Sequence, residues 1–513
     1  MTVKTLGIAI FGIDGVLVEV EVGRQDGLPG IDIAGLPATT VKEARHRVRS
    51  ALRAGGYEWP PERLVVNFAP ADLPKQGTAL DLPLAMALLV LFGVVAPGEV
   101  AGTAFFGELA LDGAVRPVPG AVSAALAVRQ AGLARLVVAP EVASEAAAIP
   151  GIEVLAPRSL VELVELLQGR VEARAVVPAV EGRSGVRAID LQTIRGQAQA
   201  KRALEIAAAG RHNLLFIGPP GCGKTLLARA LPGILPPLTL DESLEVTRIH
   251  SVSGLTGRGT GLIGTPPFRA PHPTASEAAL VGGGSPPLPG EVSLAHRGVL
   301  FLDEAAEFRR SSLDALRSPI EDRVVTIARS RRSVTFPSSV MVVLATNPCA
   351  CGHWGDVRKA CRCTPAQVRL YQQRLSGPLL DRVDLHVELV AVAHDALSGD
   401  VGGASSAEVQ ARVMAARVRQ IERHADLGGA VANADLDLDA VGRHARLGAA
   451  ETRFLARAGE ALGISARAWQ RVIRVARTIA DLAGDGAITT AHLAEALAFR
   501  RWSGADGGAG AAA

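Results

Sequence analysis

The residues best equipped for chemistry begin where an apolar run, Leu214-Leu215-Phe216-Ile217, breaks into Gly218-Pro219-Pro220-Gly221-Cys222-Gly223-Lys224-Thr225. A strand that ends in Gly-x-x-x-x-Gly-Lys-Thr and is followed by a helix makes a phosphate cradle, the P-loop. Its glycines let the backbone wrap closely with N–H groups turned inward, and the N-terminus of the following helix adds partial positive charge. In this reading Lys224 reaches the β- and γ-phosphates of ATP and Thr225 ligates Mg²⁺. A plain Gly/Pro turn is the competing reading, and the helical pattern of residues 226–231 weighs against it.

A second apolar strand, Gly298-Val299-Leu300-Phe301-Leu302, ends in Asp303-Glu304. Here Asp303 is suited to holding Mg²⁺ and Glu304 to polarising an attacking water. Many strands end in acids, so this Walker B reading draws its force from the P-loop upstream.

The elements that position these groups belong to a long chain. At 513 residues it exceeds one core and implies about three domains. With 48% hydrophobic and 20% charged residues it reads as globular, and a formal charge of +3 confines any nucleic-acid contact to local basic patches. The longest uncharged apolar run, residues 82–97, contains Pro83 and Gly93 and is too short for a membrane span, so a buried helix is expected. The first residues lack a signal-peptide pattern, so a cytoplasmic protein without membrane contacts is expected, its five cysteines being thiols or metal ligands.

Residues 5–22 read as strands joined by glycine turns. Residues 38–54 read as a helix whose Lys42, Arg45, Arg47, Arg49 and Arg53 form a solvated face in preference to a nucleic-acid contact. Residues 105–120 read as a hairpin feeding an alanine-rich helix, residues 121–130. Together with Pro74-Lys75-Gln76-Gly77 and Leu136-Val137-Val138-Ala139-Pro140, these segments resemble the proteolytic domain of Lon-type proteases, which implies a mixed α/β fold for residues 1–170. The positions that align with the Lon serine and lysine hold Ala79 and Val122, neither of which can do that chemistry. A Lon-like domain without a peptidase dyad is expected.

Residues 171–189 mix proline, glycine and charge and read as a linker. Residues 190–395 resemble an AAA+ ATPase core. The resemblance implies that Gly196 and Gln197 lie beside the adenine, although a helix N-cap region suits them equally. It implies that Asn347, which ends the apolar run 340–347, is the sensor 1 that positions the water; an asparagine before Pro348 is also a turn former. Arg382, in Leu380-Asp381-Arg382-Val383-Asp384, becomes an arginine finger that places charge on a neighbouring subunit's γ-phosphate. Arg467 becomes sensor 2 of a helical lid, residues 396–502, although Arg471, Arg474 and Arg477 nearby also suit a solvated face.

Between the two Walker segments lie Pro267-Phe268-Arg269-Ala270-Pro271-His272-Pro273-Thr274-Ala275-Ser276, Leu280-Val281-Gly282-Gly283-Gly284 and Pro289-Gly290-Glu291-Val292-Ser293. These stretches resemble the magnesium-chelatase-like AAA+ proteins of the YifB/ComM family, and the likeness covers nearly the whole chain. The family pattern often has two histidines where this chain has His272-Pro273. The resemblance implies a homo-oligomeric ring, a hexamer, hydrolysing MgATP. The best-understood members are DNA helicases that drive branch migration during uptake of transforming DNA. Residues 324–336 read as a hairpin with Arg329, Arg331 and Arg332 near its tip. In related ring ATPases such a hairpin enters the central pore, where these arginines would meet DNA backbone phosphates; a solvated basic turn is equally open. Aromatic residues are 4% of the chain, so a base-stacking platform is not expected.

Cys349, Cys351, Cys361 and Cys363 form two close pairs able to bind Zn²⁺ as thiolates, with His353 as a possible substitute ligand and reduced, unligated thiols as the alternative. Residues 503–513 read as a disordered small-residue tail. The fold expected is α/β: a P-loop AAA+ ATPase core with a helical lid, preceded by a Lon-protease-like α/β domain. The competing functional class is a protein-remodelling or metal-chelatase-type ATPase subunit.

Overall fold

The computed structural model describes residues 2–34, 39–71, 73, 75, 77–178, 180–181, 189–256, 261–328, 333–356, 358–391, 403–428 and 431–500. The N-terminal part is a seven-stranded mixed sheet built from β1 (Thr2–Phe11), β2 (Asp14–Gln25), β3 (Gly30–Ala34), β4 (Arg63–Ala69), β5 (Thr103–Phe105), β6 (Arg135–Val137) and β7 (Glu153–Leu155). Their order in space is β3-β4-β2-β1-β5-β6-β7. Strands β1 and β2 pair antiparallel from Thr2↔Gly23 to Phe11↔Asp14, and the tight turn between them needs Gly12, whose φ is +64°. Helices α1 (Thr39–Ala54), α2 (Asp81–Leu91), α3 (Ala121–Gln130), α4 (Ala143–Ala146) and α5 (Leu160–Leu167) complete this part.

The apolar run beginning at residue 82 forms α2, and every residue of that helix is buried. Asp81 at its start is buried too, and a carboxylate removed from water needs a cation. Arg47 of α1 supplies it bidentately, Nε to Oδ2 at 2.6 Å and Nη2 to Oδ1 at 2.9 Å. The basic face of α1 is therefore not wholly solvated, since one of its arginines is used inside the domain. Ala79 and Val122, the positions aligned with the Lon serine and lysine, lie in one apolar cluster with Ile8, Ala104 and Phe106.

The central part is a five-stranded parallel sheet. Its strands are β8 (Leu214–Ile217), β9 (Phe268–Arg269), β10 (Val299–Leu302), β13 (Met341–Thr346) and β14 (Leu385–Glu388), in the order β9-β10-β13-β8-β14. Strands β11 (Val324–Ala328) and β12 (Ser333–Pro337) form the separate hairpin that precedes β13. All residues of β8, β10 and β13 are buried, so these strands read as unbroken apolar runs rather than alternating ones. Around them lie α6 (Ala198–Gly210), α7 (Lys224–Ala230), α8 (Leu240–Val252) and α9 (Arg317–Asp322). The C-terminal part is helical, including α10 (Ser406–Arg423), α11 (Ala449–Leu462), α12 (Ala466–Ala483) and α13 (Thr490–Ala498). Among the described residues no helix is long and apolar enough to cross a membrane.

The N-terminal part docks on the core through α8 and the β11–β12 hairpin. Ile13, in the β1–β2 turn, packs with Ile249 and Val252 of α8, Leu294, and Val334 and Phe336 of β12. Arg248 bonds the Ile13 carbonyl at 3.2 Å and the Asp14 carboxylate. The Ser251 hydroxyl accepts from the Gly120 N–H at 3.1 Å and donates to Glu145 Oε1 of α4 at 3.1 Å. Burial pushes the Glu145 carboxyl up to about 7, against the opposing pull of the Ser251 and Thr256 hydroxyls. A carboxyl whose folded value exceeds its unfolded one stabilises fully below about 4.5, and that contribution is lost as pH rises through about 7. The melting temperature of wild type relative to Glu145→Gln should therefore fall between about pH 5 and about pH 8, a relative loss on the order of 3 kcal/mol, read by calorimetry across that range.

Candidate nucleotide-hydrolysis site

The parallel register brings the motif residues to one edge of the core sheet. Ile217 of β8 stands beside Thr346 of β13, so Gly218 and Asn347, the next residues of each, emerge side by side. Leu302 of β10 pairs with Leu344, which places Asp303 and Glu304 along the same edge. Ligand sites of open α/β sheets form outside the carboxyl ends of strands, and here the P-loop, Walker B and sensor segments all meet there.

Within the P-loop Gly221 and Gly223 have φ of +76° and +97°, left-handed values that a side chain would strain. Gly218 is excluded from substitution by space instead, since an added Cβ would stand 2.6 Å from the Leu389 carbonyl oxygen. The Lys224 ammonium donates to Gly218 O at 2.6 Å, Pro219 O at 3.0 Å and Asn347 Oδ1 at 3.0 Å. Burial lowers its pKa, partly offset by the adjoining Cys222 sulfur and by the charges of Asp303 and Glu304. The Thr225 hydroxyl donates to Asp303 Oδ2 at 2.7 Å, and Asp303 Oδ1 accepts the Glu304 N–H at 3.0 Å. These are the residues expected to hold Mg²⁺, and the hydroxyl and carboxylate already converge. Glu304 has a left-handed backbone, φ +51°, and an exposed side chain at the rim.

Gln197, also left-handed at φ +55°, donates Nε2 to Cys222 O at 3.1 Å and to Val390 O at 2.7 Å. It ties the P-loop to the segment leaving β14, beside Gly196. Pro219 and Pro220 complete the loop, and Cys222 is buried beneath it.

Neither Arg382, expected to act on a neighbouring subunit's nucleotide, nor Arg467, expected as sensor 2, lies at this chain's own P-loop edge. Arg382 is only 7% exposed; its guanidinium donates to Pro378 O at 2.7 Å, to Arg317 O at 3.1 Å and to the carboxylate of Glu321 on α9. Arg467 is exposed in the first turn of α12. One turn on, Arg471 bonds Asp384 Oδ1 at 2.7 Å, and Asp384 in turn accepts the Asn213 N–H at 2.8 Å. That places this part of α12 at the amino ends of β8 and β14, opposite the P-loop. Arg329, Arg331 and Arg332 lie outside the described residues, as does the tail 503–513.

The four cysteines do come together. Sγ–Sγ separations are 3.4 Å for Cys349 and Cys351, 3.5 Å for Cys351 and Cys361, and 3.7 Å for Cys349 and Cys361. With Cys363 all four sulfurs lie within 4.8 Å of one another, and none is in a disulfide. Backbone N–H groups of Arg362 and His353 pull the Cys351 thiol down to about 5. His353 bonds Asp356 at 3.0 Å and stands outside this sulfur set. Sequence reasoning missed Glu321, whose only signal is an acid on the helix upstream of the arginine, and Gly352, whose role is spatial.

Three family models match the chain: magnesium chelatase subunit ChlI at residues 190–397, subunit ChlI of Mg-chelatase at 19–142, and the ChlI C-terminal part at 403–500. The chain is 44% identical over 493 residues to the uncharacterized protein YifB of Escherichia coli (strain K12), with 96% of each covered. It is 42% identical over 500 residues to the competence protein ComM of Haemophilus influenzae, again with 96% of each covered. A shorter similarity, 28% over 134 residues, links it to the Lon protease of Mycolicibacterium smegmatis, covering 25% of this chain and 17% of that protein.

Two variants test the arrangement. Lys224→Ala should abolish binding of a fluorescent ATP analogue, read by anisotropy. Glu304→Gln should keep that binding while phosphate release slows on the order of 10²- to 10⁴-fold, the span of a lost general base.

Proposed function

The chain belongs to the YifB/ComM family of magnesium-chelatase-like ATPases, and from that footing we propose that it is a ring-forming motor that hydrolyses MgATP to remodel DNA, a branch-migration helicase acting in DNA uptake or recombination. The observation that carries the ATPase part is the convergence of Lys224, Thr225, Asp303 and Asn347 at one sheet edge, with Glu304 at its rim. Mg²⁺, held by Thr225 and Asp303, supplies charge neutralisation on the phosphates. Lys224 trades its loop carbonyls for phosphate oxygens, Glu304 polarises the water and Asn347 orients it. Arg382 reaches the γ-phosphate of an adjoining subunit and stabilises the transition state, which requires it to leave Glu321. Arg467, on the side opposite its own P-loop, serves the same adjoining nucleotide. Gly196 and Gln197 border the base. The four cysteines hold a structural Zn²⁺.

The DNA part is supported by the relative named as a competence protein and by the placement of the hairpin. Strands β11 and β12 lead directly to β13, which Asn347 follows, so the stretch carrying Arg329, Arg331 and Arg332 is joined through a single strand to the sensor. Contacts of that kind read the backbone rather than the bases.

At low salt, single-stranded, duplex or four-way-junction DNA should raise the ATPase rate several-fold, and the gain should be lost in Arg329→Ala/Arg331→Ala/Arg332→Ala and fade with added salt. Lys224→Ala should show no rate with or without DNA. An unstimulated rate at low salt would overturn the DNA reading in favour of a protein-remodelling or chelatase-type subunit.

A further inference from the structure

The four-cysteine loop does more than stand near the nucleotide site; its backbone is laid on the P-loop. Cys349 follows Asn347 by two residues and is fully buried. Gly352, left-handed at φ +82°, passes so close that an added Cβ would lie 2.6 Å from Pro220 Cδ and 3.9 Å from Asn347 Cγ. Farther along, Arg358 donates to Ala391 O at 2.6 Å, next to the Val390 carbonyl that accepts from Gln197. Gln372 donates to Pro348 O at 3.2 Å. The loop thus touches the P-loop, the sensor and the exit of β14.

Among the described residues, no helix or strand lies between Thr346 and Pro365, so no hydrogen-bonded ladder holds the loop's shape. Its own backbone ties are short turn bonds, Gly352 N–H to Cys349 O at 2.9 Å and Asp356 N–H to His353 O at 3.2 Å, and the sulfur set brings its two ends together. Thiolates about 2.3 Å from a tetrahedral Zn²⁺ stand about 3.8 Å apart, close to the separations of 3.4–3.7 Å found here. The N–H of Cys363 also points to Cys361 Sγ at 3.4 Å, the outer hydrogen bonding that steadies a metal-bound thiolate.

We propose that Zn²⁺ bound by Cys349, Cys351, Cys361 and Cys363 fixes the loop against Pro220 and Asn347, so that occupancy of this metal site sets the affinity of the P-loop for ATP. Metal and nucleotide are then coupled ligands: each strengthens the other by the same factor, about tenfold within the usual range of roughly 5- to 150-fold. The coupling rests on the reading of the P-loop as an ATP site.

The test uses the full chain, purified reduced. Elemental analysis should find one zinc per chain, and Co²⁺ added to zinc-stripped protein should give the intense thiolate charge-transfer absorption of a tetrahedral sulfur site. Anisotropy of mant-ATP should show about tenfold weaker binding in stripped protein, restored by Zn²⁺. Cys351→Ser and Cys361→Ser should reproduce the stripped state, with far-UV circular dichroism as the folding check. Gly352→Val provides the variant that keeps its cysteines: it should retain one zinc and still bind mant-ATP more weakly, because Pro220 must move. Lys224→Ala should retain one zinc and lose mant-ATP, which scores the two sites separately. A folded chain that binds neither Zn²⁺ nor Co²⁺, or a stripped chain with undiminished mant-ATP affinity, overturns the proposal. Zinc-loaded wild type that fails to bind mant-ATP overturns the nucleotide reading itself, and the coupling with it.

Discussion

An ammonium drawn away from water must be given acceptors, and the way Lys224 finds them organises the rest of the site. Two of its partners are carbonyls of its own loop and the third is the side-chain oxygen of Asn347, on the neighbouring strand. One cation therefore joins the P-loop to the sensor. A phosphate that took the cation would compete with those acceptors, so in the proposed mechanism filling the cradle would loosen the tie between loop and sensor. The parallel sheet makes this possible, because only strands in register deliver both segments to the same edge at the same height.

The same sheet joins that edge to the rest of the molecule. Strand β13 leads into the sensor and begins just after the β11–β12 hairpin, while Val334 and Phe336 of β12 are packed with Ile13 of the N-terminal part. Helix α8 is bound to that part by Arg248 and Ser251. In the Lon-like fold Ala79 and Val122 are embedded in an apolar cluster, and this part meets the hairpin through Ile13.

What was legible in the sequence was whatever is encoded within a dozen residues. The P-loop, the Asp303-Glu304 pair, the asparagine after β13 and the buried α2 each announce themselves by local spacing and composition, and the structure assembles them with hydrogen-bond distances near 3 Å. The cysteines were legible as two pairs, and their convergence follows from one short loop. Contacts across long separations were not legible. That Arg47 serves Asp81, that Arg382 is held by Glu321, and that Gly352 lies on Pro220 depend on packing between elements 34, 61 and 132 residues apart, for which no local pattern exists. The lid raised a different obstacle, because a helix pattern gives the faces of α12 but not the end of the sheet at which it rests.

The bond between Arg382 and Glu321 has one more implication for a motor of the kind proposed. A protomer by itself keeps its finger folded against its own helix, satisfied by three acceptors. In the proposed ring, a neighbour's phosphate, with more charge than one carboxylate, would compete for it. If Arg382 is the finger of a ring, as proposed, fuel consumption becomes a collective property: free subunits in dilute solution would hold ATP without turning it over, and turnover would begin when the circle closes.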